Sequence, residues 1–313
     1  MTHRVLLIVN PAAACGRVLG RWEELRAELS ARGMVVDHVF SGRPGDAVDL
    51  ARQAGLRYDV VGAVGGDGTV NEVVSGLLAS GETKAALAVV PLGTGNDVAR
   101  LLQIRSVSEA VDALAEGTTR SLDAIEVRCH ESGGPTTRYA LLYAAVGFAG
   151  ELLKRTTPVV KRFFGPRYCY SVGFFRALVG FQSPMMRVRC DGRPFDGRLF
   201  LVSAGNAEIV GSGMMRLSPG ARVDDGMLNV NVIGAMGRLE AARCFPRVLA
   251  GTHTAHPKVR YFAARSVTVE CEPAAGVQMD GELFGRTPGT FEVRPAAIRA
   301  ICARTTKGKV PGF

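Results

Sequence analysis

Val60-Val61-Gly62-Ala63-Val64 runs into Gly65-Gly66-Asp67-Gly68-Thr69, and then into Val70-Asn71-Glu72-Val73-Val74. An apolar strand ends, glycines permit a tight turn and close backbone approach, and a helix begins at a hydroxyl cap. A turn of this kind offers free backbone N–H groups and the positive end of a helix dipole, which suits a phosphate. Asp67 would repel an anion standing alone. It fits the turn if it shares a bridging Mg²⁺ or polarises a hydroxyl.

Two further loops of this type flank it. Leu87-Ala88-Val89-Val90 leads through Pro91-Leu92 into Gly93-Thr94-Gly95-Asn96-Asp97 and then Val98–Leu102, with Asn96 or Asp97 placed to cap the helix. The first strand, Val5–Val9, ends at Asn10-Pro11, and Gly16 precedes the next helix. In an open α/β sheet, ligands bind outside the carboxyl ends of the strands. A single Gly-rich turn is most often only a turn, but three within the first hundred residues converge on one nucleotide-sized site. The commoner fingerprints are missing. No G-x-x-x-x-G-K-[ST] marks a P-loop, no G-x-G-x-x-G with a ribose acid marks a dehydrogenase, and no G-x-S-x-G marks a serine hydrolase.

Around these loops, strand-like runs (Val5–Val9, Met34–Phe40, Val60–Val64, Leu87–Val90) alternate with helical patterns at Arg21–Arg32, Asp46–Gly55, Val70–Ala79 and from the capping box Ser106–Glu109 to Glu116. After Leu122 the period becomes two, as in Ile125/Val127/Cys129, Val188/Cys190, Val230/Val232, Val267/Val269/Cys271 and Val277/Met279, with one helix at Arg238–Thr252. The pattern predicts an α/β domain over residues 1–122, a doubly wound, Rossmann-like parallel sheet. An antiparallel β-sandwich domain follows over 123–296, and a tail, 297–313, is free to return to the first domain.

Composition narrows the class. The 313 residues are 47% hydrophobic and 21% charged, which is globular rather than disordered. No apolar run reaches the ~18 residues of a membrane helix, and only five apolar residues precede Asn10. A soluble, cytoplasmic chain is expected. The seven cysteines show no C-x-x-C spacing and read as reduced, buried thiols, while the pair His253/His256 reads as a loop rather than a metal site. Of the net charge of +9, +8 falls between Lys154 and Arg189, a window with no acid and with Phe163, Phe164, Tyr168, Tyr170, Phe174, Phe175 and Phe181 interleaved. Such a window suits an anionic membrane face; the plain alternative is a helix pair with rings inward and charges in water. Single-stranded nucleic acid would ask for a similar mixture, but no nucleic-acid partner is expected.

Gly65–Thr69 with Asn71-Glu72, together with Pro91–Asp97, resemble the diacylglycerol kinase catalytic family, which includes soluble bacterial lipid kinases and the sphingosine and ceramide kinases. The resemblance covers essentially the whole chain. It implies that ATP lies in a cleft between the two domains, touched by Asn10 and Pro11, Ser41, the stretch Gly65, Gly66, Asp67, Gly68, Thr69, Asn71 and Glu72, and Gly93, Thr94, Asn96 and Asp97. Ser41 stands where the family usually has Thr and keeps the hydroxyl; Ala14 stands where a glycine is common. Arg222-Val223-Asp224-Asp225-Gly226-Met227 resembles the family's magnesium segment, with a carboxylate from Asp225 and backbone carbonyls from Arg222 and Met227.

Gln278-Met279-Asp280-Gly281-Glu282 brings two acids around a glycine, a place for a general base or merely a charged hairpin tip. It resembles the family's Asp-Gly-Glu, which implies that Asp280 or Glu282 takes the acceptor's proton. The expectation is an ATP- and Mg²⁺-dependent lipid kinase acting on diacylglycerol at the inner membrane face, in which Asp67→Asn or Asp280→Asn abolishes turnover and spares the fold. Other long-chain alcohols, a sphingoid base, ceramide, soluble NAD, or a silent nucleotide-regulated membrane binder remain open, as does a homodimer.

Overall fold

The computed structural model describes residues 3–16, 18–79, 81, 83–156 and 158–304, with only the backbone at 15, 158–159, 161–162 and 164–167. The chain divides into two compact units, Met1–Ser121 with Ile298–Phe313, and Leu122–Ala297.

The first unit alternates β1 (Val5–Val9), α1 (Val18–Ala31), β2 (Asp37–Phe40), α2 (Asp46–Ala54), β3 (Val60–Gly65), α3 (Asp67–Ala79), β4 (Ala86–Pro91), α4 (Asp97–Leu101) and α5 (Val107–Glu116). Its strands run parallel in the order β2-β1-β3-β4, and the end of the chain's last strand adds Ala300 beside Leu87. Strands β1, β3 and β4 are buried along their whole lengths, which is why they read as unbroken apolar runs. Strand order reverses between β1 and β3, the switch point where the ends of neighbouring strands open a crevice. Two boundaries differ from expectation. Helix α3 begins at Asp67 rather than Val70, so the glycine turn is shorter and Asp67 lies in the first helical turn. Strand β2 covers only Asp37–Phe40 and, among the described strands, pairs with β1 alone.

The second unit contains β5 (Thr119–Glu131), β6 (Gly134–Ala140), β7 (Tyr143–Gly147), α6 (Phe148–Arg155), α7 (Pro158–Leu178), β8 (Met185–Cys190), β9 (Arg193–Pro194) and β10 (Gly197–Gly205). It continues with β11 (Leu228–Gly234), α8 (Arg238–Ala250), β12 (Val259–Ala264), β13 (Ser266–Glu272), β14 (Gly276–Met279) and most of β15 (Glu282–Ile301). Its ladders are antiparallel, in the order β12-β11-β10-β7-β14-β15, with β8 pairing β10 and β13. Alternate residues of these strands meet in one core: Ile125, Val127 and Cys129; Met186, Val188 and Cys190; Val202 and Ala204; Val230 and Val232; Val267 and Val269; Val277 and Met279; Phe291 and Val293. The period-two pattern is the imprint of that shared inner face.

Candidate functional site

At the carboxyl end of the first unit's sheet, three loops are tied to one another. The Asn10 side-chain amide donates to Thr69 Oγ at 3.0 Å, and its carbonyl oxygen accepts from Ala12 N at 3.0 Å. The Leu92 amide donates to Gly65 O at 2.9 Å. Gly93 and Gly66 meet backbone to backbone; a Cβ on Gly93 would stand 2.2 Å from Gly66 Cα, so no other residue fits without parting the loops. The Asn96 side chain closes its own loop by accepting from Gly93 N at 3.1 Å and donating to Gly93 O at 2.9 Å. Its φ of 56° is the left-handed conformation that Asn tolerates.

Asn96 and Asp97 were the expected caps of α4, and neither performs that task. Asn96 makes no side-chain cap bond, and Asp97 lies one residue inside the helix, 3.0 Å from Arg100. The cap comes instead from Asp67, whose Oδ1 accepts from Val98 N at 3.1 Å. Burial pushes the Asp67 carboxyl above its ordinary pKa, against the pull of the Val98, Asp97 and Asn96 amides and the Arg100 charge. Asp67 thus locks the second loop to the first with one oxygen. The remaining predicted residues divide by task. Glu72 Oε1 accepts from Gly45 N at 3.0 Å, holding the loop after buried Ser41, whose own amide reaches Val9 O at 2.9 Å. Thr69 and Asn71 are buried, Pro11 and Gly68 are half-buried, and Thr94 is exposed at the loop tip.

In the second unit the two acids around Gly281 are not equivalent. Asp280 is 7% exposed, with φ at 44°. Its carboxylate accepts from three backbone amides: Leu141 N at 2.8 Å, Leu142 N at 2.9 Å and Tyr143 N at 3.0 Å. Its own amide donates to Tyr143 O at 3.0 Å. A carboxylate so engaged pins a loop, so Asp280→Asn is expected to cost stability as well as turnover. Glu282, by contrast, opens β15 on the exposed side of the turn.

Two residues that sequence reasoning missed complete this arrangement. Buried Asp123 accepts from Gly226 N and from Ala296 N, both at 2.7 Å. Buried Asn206 donates from its Nδ2 to Asp123 O and Leu141 O, both at 2.9 Å. The available signals were an acid inside the apolar run Leu122-Asp123-Ala124-Ile125, and an Asn closing the run Val202–Gly205. Asp123 fixes the segment 222–227 through Gly226 and, by its own amide, Val223 O at 2.7 Å, while Asn206 holds Asp123. There Asp225 is exposed and accepts from Met227 N at 3.0 Å, and Arg222 turns its side chain to Asp224 at 3.3 Å. The donors left are one carboxylate oxygen and backbone carbonyls, an all-oxygen set that suits Mg²⁺ with several retained waters. Among the described residues no cluster of three or more His, Cys, Asp or Glu could hold a metal. His253 is buried against Asn231 at 3.3 Å, and His256 lies 3.7 Å from Glu240.

The acid-free basic window is less unbalanced in space than along the chain. Lys154 and Arg155 pair with Glu151 at 3.7 and 2.9 Å, Arg187 with Glu270 at 3.8 Å, and Arg189 with Asp196 at 2.6 Å. Its rings split too. Phe174 stacks on Phe245 at 4.2 Å, and Phe181 meets Phe148 and Phe200 edge-on, whereas Phe163, Tyr168 and Phe175 are exposed. The side chains of Lys161, Arg162, Phe164 and Arg167 lie outside the described residues. No described helix is long and apolar enough to cross a membrane.

Comparison with known proteins places the chain in a family. Residues 4–127 match the diacylglycerol kinase catalytic domain model, and residues 154–302 match the YegS C-terminal NAD kinase beta sandwich-like domain model. A diacylglycerol kinase of Staphylococcus aureus strain JH9 is 30% identical over 295 residues, covering 93% of this chain and 90% of the relative. One from Staphylococcus saprophyticus is 29% identical, covering 93% of this chain and 92% of its own. The crystal structure of a diacylglycerol kinase from Bacillus anthracis superposes with a TM-score of 0.71 at 23% identity, over 96% of this chain and 97% of the other. Yeast NADH kinase shares the fold more distantly, with a TM-score of 0.52 at 11% identity over 98% and 84% of the two chains. The chain belongs to the diacylglycerol kinase catalytic family.

Proposed function

We propose that this protein is an ATP-dependent lipid kinase whose acceptor is diacylglycerol. The observation that supports it most directly is the knot of Asn10, Gly65–Thr69 and Gly93 at the sheet's switch point. Peptide nitrogens at the start of α3 receive the phosphates of ATP, and the close contact of Gly66 with Gly93 holds the two loops together there. Glu282 takes the proton of the acceptor hydroxyl as its oxygen bonds to the γ-phosphorus and the bond to ADP breaks. Asp280 is the positioning residue beside it. It holds residues 141–143 through three backbone amides. Asp225 with the carbonyls of Arg222 and Met227 would hold Mg²⁺, which when bound supplies positive charge to the polyphosphate. Asp67 keeps the two glycine loops together and retains a second carboxylate oxygen.

Phe163, Tyr168 and Phe175, exposed on α7 among basic residues, support docking on an anionic bilayer at the inner membrane face. Changing all three to Ser is expected to lower sedimentation with anionic vesicles and leave the melting temperature in place. Unchanged vesicle binding at low salt removes that role. The deciding experiment for the reaction offers purified protein labelled ATP with diacylglycerol, a sphingoid base, ceramide and a long-chain alcohol in vesicles, and NAD without vesicles. Label in phosphatidic acid is the expected result. ATP binding with no labelled lipid, or labelled NADP alone, overturns the proposal.

A further inference from the structure

Asn206 follows the last residue of β10 and is fully buried. Its side-chain amide joins two segments, Nδ2 donating to Leu141 O and to Asp123 O, both at 2.9 Å. Its backbone amide and that of Ala207 both donate to Leu142 O, at 2.8 and 3.0 Å. The peptide groups of Leu141 and Leu142 are therefore held from both sides. Their carbonyls are taken by Asn206, and their N–H groups by Asp280 at 2.8 and 2.9 Å. Asp123 is held likewise. Its carbonyl goes to Asn206, its amide donates to Val223 O at 2.7 Å, and its carboxylate takes the amides of Gly226 and Ala296. An unbroken path thus runs within the second unit, from the turn carrying Glu282 through Asp280, residues 141–142, Asn206 and Asp123 to the segment carrying Asp225.

We propose that Asn206 is a positioning residue, setting where the Asp225 segment and the Asp280–Glu282 turn stand relative to each other. The residue type fits that task. A side-chain amide carries two N–H donors on one nitrogen, which is what two carbonyls from different strands require; a hydroxyl offers one donor and a carboxylate none. Asn206 Oδ1 meets no donor among the described residues, so the side chain's bonding to the protein rests on those two N–H groups. The carbonyls they serve belong to Leu141 and Asp123, both almost completely buried, where losing a donor is costly because water cannot replace it. The two clamping carboxylates therefore act on one continuous piece of backbone, and a shift at either end is felt at the other. What the two segments do rests on the proposed reaction; their linkage does not.

Native-state hydrogen exchange followed by NMR tests the linkage without any reaction. In wild type the amides of Leu141, Leu142, Tyr143 and Gly226 are expected to share one opening along a denaturant series. In Asn206→Ala, which deletes both donors, all four should exchange about tenfold faster or more, as two lost hydrogen bonds would give. On the same preparations, at a temperature where the variant is folded, kcat for diacylglycerol should fall about tenfold and the Mg²⁺ concentration for half-maximal rate should rise about tenfold. A residue that merely adds stability would lower the melting temperature and leave both kinetic values in place. Wild-type kcat and Mg²⁺ dependence in a folded Asn206→Ala overturn the proposal, as does faster exchange at only one end of the path. If Asn206→Ala does not fold, wild type decides, and separate openings for residues 141–143 and Gly226 overturn it. A wild type that labels no lipid overturns the proposed reaction instead, and the exchange result then judges the linkage alone.

Discussion

Replacing Asp280 and Glu282 one at a time, each by its amide, separates two acids that the sequence presents as a pair. In Asp280→Asn the retained carbonyl oxygen can still accept from Leu142 N and Tyr143 N. The new NH₂ then points at Leu141 N, 2.8 Å away in the wild type, donor against donor. One charge-assisted bond, typically ~1.5–3 kcal/mol, is lost, and a buried amide is left without an acceptor at about 1–3 kcal/mol. The two costs overlap, so about 2–4 kcal/mol is expected in total, or a melting temperature about 4–16 °C lower at ~2–4 °C per kcal/mol. Glu282→Gln changes an exposed residue and should move stability by no more than ~0.5 kcal/mol, while turnover falls about 10²–10⁴-fold if the carboxylate removes the acceptor's proton. Thermal melts and initial-rate phosphorylation on the same preparations read both effects. A melting temperature unmoved in Asp280→Asn would show that the amide cage does not need the charge. Wild-type turnover in Glu282→Gln, with turnover lost in a folded Asp280→Asn, would reverse the roles.

Gly93→Ala should force the two glycine loops apart, because its Cβ would fall 2.2 Å from Gly66 Cα. At the ~1–3 kcal/mol typical of overpacking, calorimetric affinity for a non-hydrolysable ATP analogue should drop about tenfold or more, and an unchanged affinity would show that the loops part freely. Asp67→Asn keeps an acceptor for Val98 N and removes a carboxyl whose pKa burial has raised. A raised carboxylate pKa means that ionisation costs stability as pH climbs from the ordinary value through the folded one, so the variant should melt no lower than wild type at neutral pH while turnover falls. A lower melting temperature would refute that sign. At Glu126, burial works to raise the pKa but is outweighed by the Arg294 hydrogen bond and the Arg294 and Arg128 charges, so the carboxyl titrates below its ordinary value. Its contribution is present above that ordinary value and is lost as pH falls through the folded one. Melts from neutral to strongly acid pH should therefore lose less in Glu126→Gln than in wild type, and parallel curves would remove Glu126 from the acid response.

The α/β-to-β organisation was readable because burial leaves a periodic imprint. Strands covered on both faces, such as Leu87–Val90, are apolar throughout, while Val267/Val269 or Val277/Met279 alternate because one face meets the core. The glycine loops were readable for a different reason, since a Cβ on Gly93 would strike the Gly66 backbone and one on Gly65 would strike the Thr69 side chain. What stayed hidden depends on distance along the chain. Nothing near residue 97 announces that its helix is capped from residue 67, and nothing near residue 226 points to Asp123. The partial neutralisation of the acid-free window was hidden for the same reason, since Glu270 and Asp196 lie outside it in sequence and beside it in space.

These hidden contacts share a physical logic that bears on which acids do chemistry. A buried carboxylate is stable only when several donors replace its lost water, and backbone amides of loops are the donors a β-rich unit has to spare. Asp123 and Asp280 are solvated in this way, each by amides of loops on other strands, and so hold those loops at fixed positions. The same bonds make them clamps that set where the neighbouring segments lie. Asp225 and Glu282 stand on the segments so clamped and face solvent. If the exposed acids serve the metal and the substrate proton as proposed, removing a clamp should disturb them indirectly, through loop position. Asp123→Asn should accordingly weaken Mg²⁺ dependence and stability together, whereas Asp225→Asn should weaken Mg²⁺ dependence alone. Equal melting temperatures for the two variants would mean that the clamp and the exposed acid are not distinct.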